Sequence, residues 1–254
     1  MNQQLKEVAV KVPAVTLGFW VIKILATTLG ETAGDTVSMS MDLGYLVGTA
    51  IFIVPLVLLA VFQIRARRFH ASLYWATIIA STTAGTTMAD FADRSLGIGY
   101  AGGSLLLLAC VLLTLAAWRL TLGSISVDTI SNARSESFYW VTITFSQTLG
   151  TALGDWAADD GGLGYLGGAA LFGAALLVLV ALWRLTSVSR ILLFWAAFIL
   201  TRPLGATVGD FLDKPLAKGG LDFSRPLASA VLIAAIVALI AFLPQRAHQS
   251  TKGH

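Results

Sequence analysis

The sequence predicts an all-α integral membrane protein of eight transmembrane helices, made from four parallel two-helix repeats arranged as two four-helix halves. Three observations predict this class. Apolar runs recur along a chain of 254 residues that is 56% hydrophobic and 12% charged, about half the charge of an ordinary soluble domain. Each run is about 20 residues long, enough to cross about 30 Å of hydrocarbon. A Trp–Gly–Asp register returns four times, and basic residues fall mainly on one side of the predicted spans.

The register starts at Trp20, Trp75, Trp140 and Trp195, each preceded by an aromatic: Phe19, Tyr74, Tyr139 and Phe194. Gly30, Gly85, Gly150 and Gly205 follow at one common spacing; Gly34, Ala89, Gly154 and Gly209 follow at the next. Asp35, Asp90, Asp155 and Asp210 come directly after these. Gly44-Tyr45, Gly99-Tyr100 and Gly164-Tyr165 complete three copies, and the fourth departs with Pro215 and Lys218. A repeat search comes before any other reading because missing a repeat misassigns the whole fold.

Each copy contributes two spans. Copy one, about 14–64, gives spans near 14–37, which holds Trp20 through Asp35, and 43–64, an apolar run ending before Arg65. Copy two, about 71–119, gives 71–92 and 98–118; copy three, about 136–184, gives 136–157 and 163–183. Copy four, about 190–243, gives 190–212, where Pro203 is expected to kink or break the helix, and 225–243. The longest connection, near 120–135, divides the chain after copy two and predicts the two halves, within one membrane domain over 1–254.

The predicted orientation has both termini inside. Lys6, Lys11, Arg65, Arg67, Arg68, Arg119, Arg134, Arg184, Arg190, Arg246 and Lys252 would be inside; Arg94, Lys214, Lys218 and Arg225 would be outside. Acidic residues run the opposite way, with Glu7, Asp128 and Glu136 inside. With two spans per copy all four copies point the same way, so the repeats are parallel rather than inverted. Each Asp then lies about 22 Å along the helix from its Trp. The tryptophans, with Trp118 and Trp183, are expected at the inner interface. Residues 1–13 are polar and the first apolar run has full span length, so no cleavable signal is expected.

The chain resembles a bacterial membrane-protein family of four tandem two-helix repeats with a characteristic tryptophan, catalogued as a repeat of unknown function. Trp20, Trp75, Trp140 and Trp195 carry the resemblance. It implies a multi-pass protein of the bacterial inner membrane and brings no activity with it.

Carboxylates within the membrane are costly and mark functional sites by default. Glu31, Asp35, Asp90, Asp155 and Asp210 are therefore the candidate ion site, with Lys23, Thr27 and Arg202 in coupling or gating roles. Four Asp at one depth around an axis would form an acidic ring that attracts cations. Hydroxyl and amide neighbours are hard oxygen ligands, which favour a divalent cation such as Mg²⁺, Mn²⁺ or Ca²⁺, or a proton relay. Lys23, Thr27, Glu31 and Asp35 form one stripe at spacing four, so Lys23 and Glu31 are expected to neutralise each other or exchange a proton. The competing structural reading is that the small-xxx-small patterns pack helices and each Asp caps a helix end. Asp93 and Asp213 are read as solvated loop charges. Cys110 reads as an inert buried thiol, and the scattered Met39, Met41 and Met88 as packing. His70, His248 and His254 lie in inner or terminal segments.

No nucleotide loop, nucleophile elbow or HExxH pattern is present. The chain is read as no enzyme, with no cofactor or nucleic-acid partner assigned. Its expected partners are the lipid bilayer and an inorganic cation, and a homo-oligomer is compatible with the sequence. The expected function is cation transport, divalent and with proton coupling. The alternatives are a cation channel with an acidic ring, or a non-transporting scaffold or sensor in which the glycine–aspartate motifs are structural.

Overall fold

The structure, a computed structural model, describes residues 10–247. Lys6, Glu7, His248, Lys252 and His254 lie outside the described residues. Eight α-helices are described: α1 (Leu17–Asp35), α2 (Gly44–Arg65), α3 (Ala71–Asp90), α4 (Tyr100–Leu122), α5 (Ala133–Asp155), α6 (Gly164–Leu185), α7 (Arg190–Asp213) and α8 (Arg225–Phe242). Local chemistry sets several ends. The Thr16 hydroxyl accepts from Phe19 N at the start of α1, and Asn132 with Ser135 forms a reciprocal capping box before α5. After Asp35, Asp90 and Asp155 the chain passes into π-helical turns, Thr36–Ser40, Phe91–Ser95 and Trp156–Asp160. Gly44, Gly99 and Gly164 then take φ of +75°, +75° and +63°, a left-handed turn that only glycine makes without strain. That turn explains the recurring Gly-Tyr mark.

Helices α1, α3, α5 and α7 form a closed central ring, each packing on the next and α7 packing back on α1. The remaining helices are peripheral. Each packs on the central helix of the following copy: α2 on α3, α4 on α5, α6 on α7, and α8 on α1. This corrects the expected two four-helix halves. Helix α4 lies on α5 across the predicted seam, so the 120–135 connection separates nothing; α4 itself extends to Leu122 and a 3₁₀ turn at Val127–Thr129 precedes α5.

Five helices, α2, α4, α6, α7 and α8, are long and apolar enough to cross a membrane by length and composition. The peripheral ones expose apolar side chains such as Leu58, Leu113, Leu177 and Val237, the surface a membrane protein turns to lipid. Helices α1, α3 and α5 are less apolar because they bury threonine, serine, glutamine and carboxylate side chains inside the bundle. Helix α7 runs unbroken through Pro203, which corrects the expected break; the stem of Arg202 and the Pro203 ring lie against Gly150 of α5.

The bundle has two chemically different ends. At the Trp end an aromatic layer closes the ring in cyclic order: Phe19 packs on Trp75, Tyr74 on Trp140, Tyr139 on Trp195, and Phe194 on Trp20. The Tyr74 and Tyr139 hydroxyls meet at 2.6 Å. Trp75, Trp140 and Trp195 are buried, as is Trp118, which packs on Trp195. These tryptophans are therefore core rather than the expected interface anchors, because each ring fills the gap between neighbouring copies. Trp183 is half exposed, in keeping with an anchor. Cys110 is partly exposed on α4 rather than buried.

Beneath the aromatic layer, the first described residues cross the bundle end. Val10 and Val12 are buried in the same core. Lys11 donates to the carbonyls of Gln63, Ile64 and Ala66 and pairs with Glu136 at 2.5 Å.

Candidate functional site

The glycines of the central helices set the geometry of everything above the aromatic layer. The residue seven places after each Trp projects at the first glycine of the preceding copy: Thr82 at Gly30, Gln147 at Gly85, Arg202 at Gly150 and Thr27 at Gly205. A Cβ at Gly150 would lie 2.1 Å from Arg202 Cγ, and one at Gly205 would lie 2.1 Å from Thr27 Oγ1. One turn higher, Gly209 receives Glu31 and Gly34 receives Thr86. The small-xxx-small patterns are thus the notches through which four helices close into a ring. Thr27, proposed from sequence for coupling or gating, fills such a notch and donates to the carbonyls of Ile24 and Thr201.

Above the notches lies a fully buried polar layer. Arg202 Nη2 donates to Glu31 Oε2 at 3.0 Å and to Thr86 Oγ1 at 2.6 Å, and it also contacts the Thr151 hydroxyl. One side chain from α7 therefore engages α1, α3 and α5, and it fills the centre of the ring. This corrects the expected Lys23–Glu31 pair. Those residues lie about 12 Å apart along α1, and Arg202 is the partner of Glu31. Lys23 instead donates to Phe198 O at 3.0 Å and Thr201 Oγ1 at 2.6 Å, with its ammonium 3.9 Å from the Phe198 ring centre.

The four Asp, at one position of the repeat, form the next layer, and all are buried. Ion pairs join them two by two. Arg94 joins Asp90 and Asp155, with Nε–Oδ1 and Nη2–Oδ2 both 3.0 Å. Lys214 joins Asp35 and Asp210, at 2.5 and 2.9 Å. Arg94 and Lys214 stand at the same place in their copies, nineteen residues after Trp75 and Trp195. The layer is thus two clasps, one between copies two and three and one between copies four and one.

The second clasp is richer in acid. One ligand atom each of Glu31, Asp35 and Asp210 lies within 4.8 Å of the others, all three side chains being buried. Asp35 Oδ1 has no hydrogen-bond partner. Arg225 stands beside this group, 3.7 Å from Asp35 and 3.4 Å from Asp213. Burial alone would lower the basicity of Lys214, but the carboxylates of Asp210, Asp35 and Asp213 hold it well above the usual lysine range. These donors are oxygen only, the set preferred by hard divalent cations.

Asp93 and Asp213 are buried, which corrects their reading as solvated loop charges; both Asp93 oxygens and Asp213 Oδ1 lack hydrogen-bond partners. Among the described residues of this half, seven buried carboxylates, Glu31, Asp35, Asp90, Asp93, Asp155, Asp210 and Asp213, stand against two buried cations, Arg202 and Lys214, and two partly exposed ones, Arg94 and Arg225. Above the Asp layer is a cavity of about 630 Å³, lined by Tyr100, Asp159, Tyr165, Lys218 and Met39 among others, with Arg94, Lys214 and Arg225 in its wall.

The five acids and Arg202 stand out in the sequence, whereas Arg94, Lys214 and Arg225 are expected there only as outer charges. A signal existed: in copies two and four alone, an Asp and a cation follow one another, Asp93-Arg94 and Asp213-Lys214, at matching register. The family model for the Repeat of Unknown Function (DUF347) matches residues 18–69, 73–123, 138–189 and 193–246. These matches cover most of the chain, which belongs to that family. No curated protein and no solved structure matches it.

Proposed function

We propose that this member of the DUF347 repeat family is a membrane transporter for a cation, divalent by preference and exchanged for protons. In this reading all eight helices cross the bacterial inner membrane. Both termini face inside, so the Trp end is cytoplasmic and the Asp end opens outward. The charge asymmetry of the loops supports that orientation.

One observation carries the proposal. Among its described residues the Asp-side half buries seven carboxylates against two buried cations, Arg202 and Lys214, and two partly exposed ones, Arg94 and Arg225, and three of those carboxylates converge at Glu31, Asp35 and Asp210. A surplus of buried charge must be met by protons or by bound cations. A divalent ion offers more neutralisation per site than any monovalent one. The same group accepts protons when the ion leaves, which supplies a physical basis for exchange.

The central polar layer favours a gated carrier over an open pore. Arg202 and Glu31 span the ring centre, and the aromatic layer closes the other end. Transport then requires the pair to part, so ion arrival at Glu31 and release of Arg202 are linked. A structural scaffold is the second reading, favoured by the glycine notches, which need no transport to explain them.

The test is uptake into sealed liposomes holding the purified protein and an internal pH dye. Mn²⁺, Mg²⁺, Ca²⁺, Zn²⁺, Cu⁺ and K⁺ are screened with the native chain and with Glu31→Gln/Asp35→Asn. Flux of a divalent ion with a matching pH change, lost in the variant, supports the proposal. No flux of any of these ions by correctly inserted protein returns the scaffold reading.

A further inference from the structure

We infer that Lys214 is a tethered competitor for the cation site, and that the site's ion enters by displacing its ammonium group from between Asp35 and Asp210. The inference rests on the cation-binding part of the proposed function and names the residue that sets its selectivity.

Lys214 Nζ lies 2.5 Å from Asp35 Oδ2 and 2.9 Å from Asp210 Oδ1. A cation bridging these two carboxylates would stand where that ammonium stands. Glu31 supplies a third oxygen within 4.8 Å, and Asp35 Oδ1 is buried and unpartnered. The position thus has ligand capacity that one ammonium leaves unused.

The side chain has somewhere to go. Lys214 ends α7 and lies in the wall of the 630 Å³ cavity, which also contains Asp159. Its backbone is held independently of the ammonium: Lys214 N donates to Asp210 O and Lys214 O accepts from Asp222 N. The four-carbon stem can therefore swing outward without unwinding the helix end.

The equivalent clasp lacks this freedom. Arg94 uses Nε on Asp90, Nη2 on Asp155 and Nη1 on the Tyr45 hydroxyl at 3.2 Å. A guanidinium fork fixed by three donors leaves less readily than a flexible point charge. Lysine and arginine at one repeat position thus divide the Asp layer into an exchangeable clasp and a fixed one.

Selectivity follows from the tether. A tethered group competes at an effective concentration in the millimolar range or above. A free monovalent cation offers the same single charge as the ammonium without that advantage. A divalent cation doubles the charge and also uses Glu31, so it can win.

Mn²⁺ binding to the detergent-purified full chain tests the inference, followed by electron paramagnetic resonance with Na⁺ as the challenger. Lys214→Gln is expected to bind Mn²⁺ at least tenfold more tightly than the native chain, and only in that variant should Na⁺ compete. A native chain that binds Mn²⁺ while Lys214→Gln binds it no more tightly overturns the inference and leaves the transport proposal standing. The second measurement needs no variant: acetylation of Lys214 in the native chain, read by mass spectrometry, should rise when Mn²⁺ is added. Unchanged protection of Lys214 in Mn²⁺-saturated protein also overturns it. Absence of Mn²⁺ binding by either chain removes the cation reading as well.

Discussion

Arg202 joins all four central helices through Glu31. Its Nη2 lies 3.0 Å from Glu31 Oε2 while the same nitrogen contacts Thr86 and Thr151, and the guanidinium has no exposed surface. Buried pairs of this kind give little net stability, but removing one partner leaves a charge without compensation. Glu31→Gln should therefore destabilise the fold by about 3–5 kcal/mol. Glu31→Gln/Arg202→Met should recover most of that loss. Thermal unfolding of the two variants in one detergent checks the pair, and equal losses in both would show that the ion pair is not the cause.

The ring closes through glycine, and glycines inside and outside the ring differ in tolerance. A Cβ at Gly205 would meet Thr27 Oγ1 at 2.1 Å and the Thr27 backbone carbon at 2.8 Å, so Gly205→Ala must push α7 away from α1. Gly173 of α6 has nothing within 4 Å of such a Cβ, and Gly173→Ala gains about 0.5–1 kcal/mol of helix preference. The expected result is a lowered melting temperature for Gly205→Ala and an unchanged or raised one for Gly173→Ala. Shortening Thr27 to Ala should rescue Gly205→Ala only in part, since it removes the Oγ1 contact and leaves Thr27 Cβ at 2.6 Å and the backbone carbon at 2.8 Å.

Lys11 ties the first described residues to α2 and α5. Three carbonyls and Glu136 share its ammonium. Lys11→Met should loosen this end of the bundle, because Glu136 is buried and among the described residues pairs with no other cation. Limited proteolysis reads the effect as faster cleavage near residues 10–16. Lys11→Met/Glu136→Gln should be cleaved more slowly than Lys11→Met alone.

Asp93 sits in the π-helical turn after α3 with neither oxygen hydrogen-bonded. Burial pushes its carboxyl up to about 6, with the Arg94 charge opposing the shift. The folded chain therefore holds this proton at a pH where the unfolded chain has released it. The contribution to stability is full below about pH 4, the range of a free aspartate, and is lost as pH climbs through 6. Asp93→Asn should flatten the stability profile between those limits, measured as melting temperature against pH. A profile unchanged by the substitution would assign the slope to other groups.

The repeat, its parallel sense, the helix positions and the recurring acids are all legible in the chain. Those features are local or periodic: a Trp, a Gly and an Asp at fixed spacing put each side chain at the same height on its own helix. Helix ends were legible for the same reason, as with Gly44, Gly99 and Gly164, whose positive φ is a property of the residue type. Which side chains meet depends on packing between copies. Helical spacing puts Lys23 and Glu31 on one stripe of α1, yet the closed ring brings Arg202 from α7 to Glu31 and leaves Lys23 with Phe198 and Thr201. The long 120–135 connection implied two halves, but α4 packs on α5 and removes the seam. Arg94 and Lys214 read as loop charges, and become clasps because each π-helical turn or helix end lies above the Asp of the adjacent copy. Pairing between copies depends on closure of the ring, which no spacing within one copy encodes.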